Sequence, residues 1–459
     1  MQTETTPPPP PPLRSRLFHS PGGRLLLIGL LLLALMIPAQ MIRGVVLERE
    51  GRRDEAAAGI VGSWGGGQHL LGPVLRVPFQ SRQRSTDKDG KVTETRYQDA
   101  AYLLPQSLKI DARLDTQLLR RGMFELPVYS VHLKLGGHFA QPDLARWGVL
   151  AEDIDWQGAE LIVSLSEPRA LQADASLDWQ GRKLRFRPST GSGRIGKLAG
   201  IHAPLGQPGS ELFTDGRAAF AIELAAKGAE QLSFAPAAEE TTVSLSSAWP
   251  HPSFQGDWLP VRREVGSQGF SADWSVSYLG RDYPQSWRES APVGEALEHS
   301  RFGVSLAVPV DPYMLAERIS KYALLTLVCT FAVIWLTELL SGRRVHPIQY
   351  GFVGAALCLF GLLQLSVAEH FGFTTAFIVA AVAVTLLVTL YSRSLLGGWR
   401  SLAVGSVLGG LYAYLYTILQ AEDYALLGGA VALFLGLAVA MYLTRDFNWF
   451  GGGEAPPAA

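Results

Sequence analysis

Cysteine is nearly missing. The 459 residues carry two, Cys329 and Cys358, both inside long apolar runs. No disulfide framework can therefore support the polar part of the chain, and no paired-cysteine metal site is available to it. Net charge is nearly missing too, with 40 Lys+Arg against 41 Asp+Glu. That balance leaves no basic footprint, so nucleic acid is excluded as a partner. Charged residues make up 18% of the chain, where a soluble protein would carry roughly a quarter. With a mean hydropathy of +0.15, part of the chain is expected to lie in something other than its own core. The signatures of common chemistry are absent as well. There is no Gly-x-x-x-x-Gly-Lys-Ser/Thr loop, no Gly-x-Ser-x-Gly elbow and no His-Glu-x-x-His pair.

Apolar runs of membrane-spanning length are abundant. A helix crosses about 30 Å of hydrocarbon with roughly 17–25 mostly apolar residues. Six runs qualify or nearly so: Leu25–Ile42, Tyr322–Leu340, Ile348–Ala368, Phe373–Tyr391, Leu402–Gln420 and Tyr424–Leu443. The expected fold is a membrane protein with six transmembrane α-helices, one N-terminal and five C-terminal, and a large mainly-β, sandwich-like domain. The divisions are a Pro-rich tail (1–24), the first helix (25–42), the β-rich domain (43–320), a five-helix bundle (321–445) and a Gly/Pro-rich tail (446–459). Arg14, Arg16 and Arg24 precede the first span, and Arg343, Arg344, Arg393, Arg400 and Arg445 fall in alternate loops. This bias puts both termini in the cytoplasm and residues 43–320 in the periplasm. Arg318 and Lys321 run against it, but charges beside a long translocated domain weigh less. The first span reads as an uncleaved anchor, because Ile37 occupies the −3 position of a signal-peptide cut after Ala39, where a small residue is wanted. Pro7–Pro12 reads as a stiff solvated spacer.

Between Arg43 and Ser320 short apolar or alternating runs are broken by Gly and Pro, among them Val74–Phe79, Ser107–Leu114, Val128–Leu135, Leu161–Leu165, Ala219–Leu224 and Phe270–Tyr278. Period-two alternation, as in Val131, Leu133 and Leu135 against His132 and Lys134, marks half-buried strands. Helical periodicity is scarce, with candidates at Pro142–Trp147 and Tyr313–Tyr322, the latter running into the next span. Trp64, Trp147, Trp156, Trp179, Trp249, Trp258, Trp274 and Trp287 fall here. They read as core and belt residues, with sugar stacking as the alternative. Gly191-x-Gly193-x-x-Gly196 matches the dinucleotide fingerprint in letters. It is followed by Pro204 and Pro208, where that fingerprint needs a helix. His132, His138, His202, His251 and His299 are scattered, and neither metal nor cofactor is expected.

The polar groups of the bundle carry more information, because an ionisable group in hydrocarbon is costly. Glu338 lies near the cytoplasmic end of the second span and Gln364 within the third. Glu369-His370 and Glu422-Asp423 form two acidic caps on the outer side, either as helix caps that dock the β-rich domain or as part of an ion path. Gly405, Gly409, Tyr412, Tyr416 and Gln420 recur every three or four residues as one stripe, with a small-xxx-small pair at its start. Close packing explains the stripe, with a substrate groove as the alternative.

These residues also fall into a recognisable order. His346-Pro-Ile-Gln-Tyr350, Ser366-Val-Ala-Glu-His370, Tyr391-Ser-Arg393, Leu419–Leu427 and Met441–Arg445 resemble the CreD family of inner-membrane cell envelope integrity proteins. So do Gly72-Pro73-Val74, Trp249–Phe254 and Val310-Asp-Pro-Tyr313 in the outer domain. The resemblance runs from about Val45 to Trp449. It implies a role in envelope stress tolerance and supplies no catalytic residues. The expected function is a non-catalytic binding or scaffolding role, with the lipid bilayer and an envelope component or protein as partners. Self-association into a homo-oligomer is compatible with it. The alternative is a transporter or lipid-handling protein that uses the bundle as its conduit.

Overall fold

The computed structural model describes residues 21–86, 92–122, 124–172, 175–191, 199–307, 312–341, 345–420 and 425–445. The chain divides into two compact units, one made of Met1–Arg52 and Val310–Ala459, the other of Arg53–Pro309.

The first unit is helical. Helix α1 (Pro21–Trp64) begins in it and continues into the second unit. The others are α2 (Pro312–Ser341), α3 (Pro347–Phe371), α4 (Phe373–Leu396), α5 (Gly398–Gln420) and α6 (Ala425–Thr444). Among the described residues five helices, α1 to α5, are long and apolar enough to cross a membrane. The twenty residues of α6 span about 30 Å at 1.5 Å each. Hydroxyls inside α2 turn back onto their own helix. Thr326, Thr330 and Thr337 donate to the carbonyls of Tyr322, Thr326 and Val333, at 3.3, 2.7 and 2.7 Å. In this way polar groups at membrane depth are satisfied without water.

One helix boundary differs from expectation. Helix α1 does not stop at Ile42 but runs through the adjoining charged stretch to Trp64. Glu48 and Arg52 pair there at 2.7 Å, an i,i+4 contact that supports helix in a sequence that otherwise reads as the start of a loop. Helix α2 begins at Pro312, so the Tyr313–Tyr322 candidate runs into the second span, as expected. The Pro142–Trp147 candidate is reduced to a single 3-10 turn at Ala145–Trp147.

The second unit is a sandwich of two sheets over one core. The first sheet runs β13 (Pro252–Gly256), β17 (Phe302–Leu306), β11 (Gln231–Phe234), β1 (Gln68–Thr86), β5 (Glu160–Leu165), β9 (Gly200–Pro204) and β8 (Arg187–Pro188). Off this path, β2 (Val92–Leu103) pairs with β1 and with β16 (Ser286–Arg288). The second sheet runs β14 (Arg262–Gly266), β15 (Gly269–Ser277), β12 (Glu240–Ser247), β3 (Ser107–Arg121), β4 (Phe124–Ala140), β10 (Arg217–Ala229), β6 (Ser176–Trp179) and β7 (Arg182–Arg185). Strand β3 shows how the sequence dictates this. Leu108, Ile110, Ala112 and Leu114 are buried while Lys109, Asp111, Arg113 and Asp115 face out. Each fully buried large aliphatic or aromatic side chain contributes about 1.5–3 kcal/mol. Leu70, Val74, Leu161 and Phe234 from one sheet belong to the same core as Leu108, Val131, Ile222 and Val243 from the other.

The tryptophans serve this packing. Trp179, Trp274 and Trp287 are buried, and Trp287 stacks on Tyr102 with centroids 5.7 Å apart. Trp147, Trp156, Trp249 and Trp258 lie against the core. Trp64, at the end of α1, joins a satellite cluster with Ile60, Val128 and Ala229. Its Nε1 donates to the Tyr129 carbonyl at 3.3 Å, and Lys227 lies 4.3 Å over its ring. Gly193 and Gly196 lie outside the described residues. Beyond them the chain enters strand β9 and then a four-residue helix, Gly209–Leu212, too short for a phosphate-binding turn.

Candidate functional site

The sequence-derived polar residues of the bundle do not gather in one place. The structure sorts them into a fastening system for α1 and a few buried polar groups apart from it.

His346-Pro-Ile-Gln-Tyr350 starts α3 and does so by local chemistry. His346 Nδ1 accepts from the Ile348 amide at 3.3 Å, while Gln349 Oε1 accepts from the His346 amide at 2.8 Å, a closed capping box. Pro347 fills the first helical position, where its missing N–H costs nothing. Tyr350, one turn on, is thereby aimed at α2, where its hydroxyl donates to Glu338 Oε2 at 3.0 Å. Arg24 of α1 donates to the other oxygen, Glu338 Oε1. The Glu338 side chain is 7% exposed and that of Arg24 23%. A carboxylate near the end of α2 thus ties α1, α2 and α3 together.

A second set lies further along α1. Arg43 Nη2 reaches Glu317 Oε1 at 3.3 Å, and Lys321 reaches the same oxygen at 3.1 Å. Arg49 stands 3.7 Å from Glu369 Oε1, which also accepts from the Tyr313 hydroxyl at 3.4 Å. The nineteen residues from Arg24 to Arg43 span about 29 Å of helix, close to the hydrocarbon thickness. Arginines therefore pin α1 at the two ends of one membrane crossing. Between the pins α1 lies in a groove of small residues on α3. Leu31 faces Gly351, Leu35 faces Gly354, and Ile42 faces Gly361. A Cβ on Gly354 would fall 2.2 Å from Leu35 Cδ1, so any larger residue there must displace the leucine.

Of the expected site residues, Glu338 and Glu369 acquire partners on other helices of the bundle. His370 and Gln420 are exposed. Glu422 and Asp423 lie outside the described residues. The Gln364 amide is fully buried, and neither its oxygen nor its nitrogen has a hydrogen-bond partner among the described residues. The stripe on α5 is a packing seam for its first part. Gly405 and Gly409 face Thr389 and Thr385 of α4, and Tyr412 stacks on Phe360 at 4.3 Å. Tyr416 shares a hydroxyl contact of 3.3 Å with Thr374. A cavity of about 20 Å³, room for a single water, lies beside Thr326, Cys358 and Gly361.

Sequence reasoning missed Arg24, Arg43, Arg49, Glu317, Tyr313 and Tyr350 as partners. Arg24 was visible only as a marker of orientation. In the β-rich unit it passed over His69, which is 2% exposed, with Nδ1 3.1 Å from Ser233 Oγ and no partner on Nε2 among the described residues. Burial, aided by nearby Arg301, lowers its pKa to about 4. The other histidines sit in local bonds. His138 contacts Ser107 Oγ at 2.7 Å, His202 the Ser189 carbonyl at 2.9 Å, and His299 the Glu295 carbonyl at 2.7 Å. Among the described residues no group of three or more His, Cys, Asp or Glu side chains could hold a metal ion.

Comparison with known proteins agrees along almost the full chain. The family model described as "Inner membrane protein CreD" matches residues 20–450. Inner membrane protein CreD of Escherichia coli (strain K12) is 32% identical over 420 residues, covering 91% of this chain and 91% of that one.

Proposed function

The chain belongs to the CreD family of inner membrane proteins, and from that premise we propose that it maintains the cell envelope without catalysis, as an anchored binding or scaffolding protein. In this reading both termini are cytoplasmic and residues 43–320 are periplasmic, where the β-rich unit holds an envelope component or envelope protein. The arginine bias of the short loops supports that orientation.

The observation that carries the reading is α1. One helix is fastened inside the bundle through Arg24, Arg43 and Arg49 and inside the β-rich unit through Ile60 and Trp64. A connection of that kind suits a protein whose task is to hold and to transmit load. Glu369 serves α1 and α2.

The test is to interrupt α1. A short Gly-Ser insertion after Arg53 breaks the continuity of the helix without touching either set of fastenings. The expected result is a chain that is produced at normal level, with the near-UV signal of its packed tryptophans intact, yet leaves cells as detergent-sensitive as a deletion. Full protection by the interrupted chain would overturn the scaffolding reading. Orientation is checked by protease on spheroplasts, which should cleave within residues 43–320 while sparing a cytoplasmic control. The conduit reading rests on the unpartnered Gln364 amide. Gln364→Cys that reacts with a membrane-impermeant thiol reagent would favour it over scaffolding.

A further inference from the structure

The two sheets of the β-rich unit end in four edge strands on their main paths, with the three-residue β16 a fifth at the branch, and three of those four carry devices that block pairing. β13 contains Pro252 and β8 contains Pro188, and proline cannot donate to a ladder. β7 presents Arg182, Lys183 and Arg185, a single-sign edge that repels its own copy. The fourth edge, β14, has neither device. Its sequence is Arg262-Arg-Glu-Val-Gly266, and every residue of it is exposed.

The faces of β14 are set by its register with β15. Arg263 and Val265 stand opposite Ala272 and Phe270, which are buried. Arg262 and Glu264 share the outer face with Asp273 and Ser271, and Val261, just before the strand, donates its N–H to the Asp273 carbonyl. Yet Val261 is 70% and Val265 53% exposed. Leu259 and Leu279, at 64% and 80%, are exposed in the flanking loops. They belong to the same edge: the Trp274 indole of β15 donates to the Trp258 carbonyl, and Gly280 approaches the Trp258 ring. The core face of the sheet thus continues onto an apolar ledge with no strand beside it among the described residues.

We propose that this ledge is a self-association surface, where β14 pairs antiparallel with β14 of a second copy about a two-fold axis at Arg263. The register selects the occupant. Side chains directly opposite in an antiparallel pair point to the same face, so the axis must pass through a residue rather than between two. An axis at Arg262 sets Arg262 against itself, and one at Glu264 sets Glu264 against itself and Arg263 against Val265. An axis at Arg263 gives Arg262 opposite Glu264 twice on the outer face and brings the exposed Val261, just before the strand, toward Val265 of the second copy. Opposite charges and β-branched residues are the pairs that stabilise a ladder. The cost is Arg263 facing its own copy, once, where two long side chains can diverge. The strand is complementary to itself, and the isologous contact closes as a dimer.

The experiment uses the full chain in detergent micelles and in native membranes, with Cys329 and Cys358 replaced by serine. Arg263→Cys places two thiols across the axis. Oxidation should convert most of the protein to a species of twice the mass. Ser267→Cys, four residues away and about 27 Å from its mate in this register, should stay monomeric, as should Arg182→Cys on β7. Arg262→Glu should weaken the dimer at least tenfold by mass photometry, and adding Glu264→Arg should restore it. Circular dichroism of each variant separates lost association from lost fold. An Arg263→Cys chain that remains monomeric on oxidation overturns the proposal. So does one that cross-links to a chain of different mass, or a double charge swap that fails to restore the dimer.

Discussion

Charge is handled in opposite ways by the sandwich and the bundle. On the outer face of the sandwich, Lys134 and Glu223 stand 3.5 Å apart with side chains 73% and 66% exposed, and Arg113 and Asp115 pair at 3.5 Å with 77% and 56%. In the bundle, Glu338 is nearly sealed between an arginine and a tyrosine. Water screens the first kind of pair and leaves it worth little. Lipid offers the second kind no alternative partner, so its two ends hold each other and the helices that carry them. A short ion-pair distance therefore means something different in each unit, and geometry alone would rank them wrongly.

The sharpest way to break this comparison is to remove one member of the sealed pair. Glu338→Ala leaves Arg24 and Tyr350 facing each other, and the bundle should lose about 3–5 kcal/mol, read as a lower melting temperature in detergent. Glu338→Gln, which keeps the Tyr350 hydrogen bond, should lose less. A change within error for both would show that the pair has access to water. The sandwich has a sealed group of its own in His69, and there the variable is pH. Above about pH 6.5 the imidazole is neutral in the folded and the unfolded chain alike. Below it the unfolded chain takes up a proton that the folded site refuses until about pH 4. Stability should fall through that window by about 3 kcal/mol. Denaturation of the full chain at pH 7, 5.5 and 4.5 measures the slope, and His69→Gln should flatten it.

Next in size is the groove. Gly354→Val places a branched side chain where Leu35 already lies, and the expected loss is about 1–3 kcal/mol. Cross-linking between α1 and α3 should fall in parallel. The smallest effect belongs to the exposed face of the sandwich. Lys134→Ala should move stability by no more than about 0.5 kcal/mol, and a larger value would mean that the outer face is covered in the folded protein.

The two regions also differed in how far the amino-acid order disclosed them. The six apolar runs show themselves by unbroken length, and alternating strands such as β3 and β4 by a period of two residues. Both patterns are imposed by the solvent around the element, so they are visible locally. The end of α1 was hidden because its charged stretch, Glu48 to Glu55, shows no apolar face and is helical through i,i+4 pairing instead. Glu338 stood out as a carboxylate in an apolar run, but Arg24 as its partner is a fact of tertiary packing. The small residues Gly351, Gly354 and Gly361 were no more conspicuous than Gly405 and Gly409. Only the side chains facing them distinguish the two seams.

The bond between Arg24 and Glu338 also orders events in time. They are 314 residues apart, so at about 5–20 residues per second the ribosome needs roughly 15–60 s after making the arginine before its mate exists. Throughout that interval the basic end of α1 lacks its carboxylate, and its leucines lack the glycines of α3. The fastening of α1 is therefore completed only after the whole β-rich unit has been synthesised.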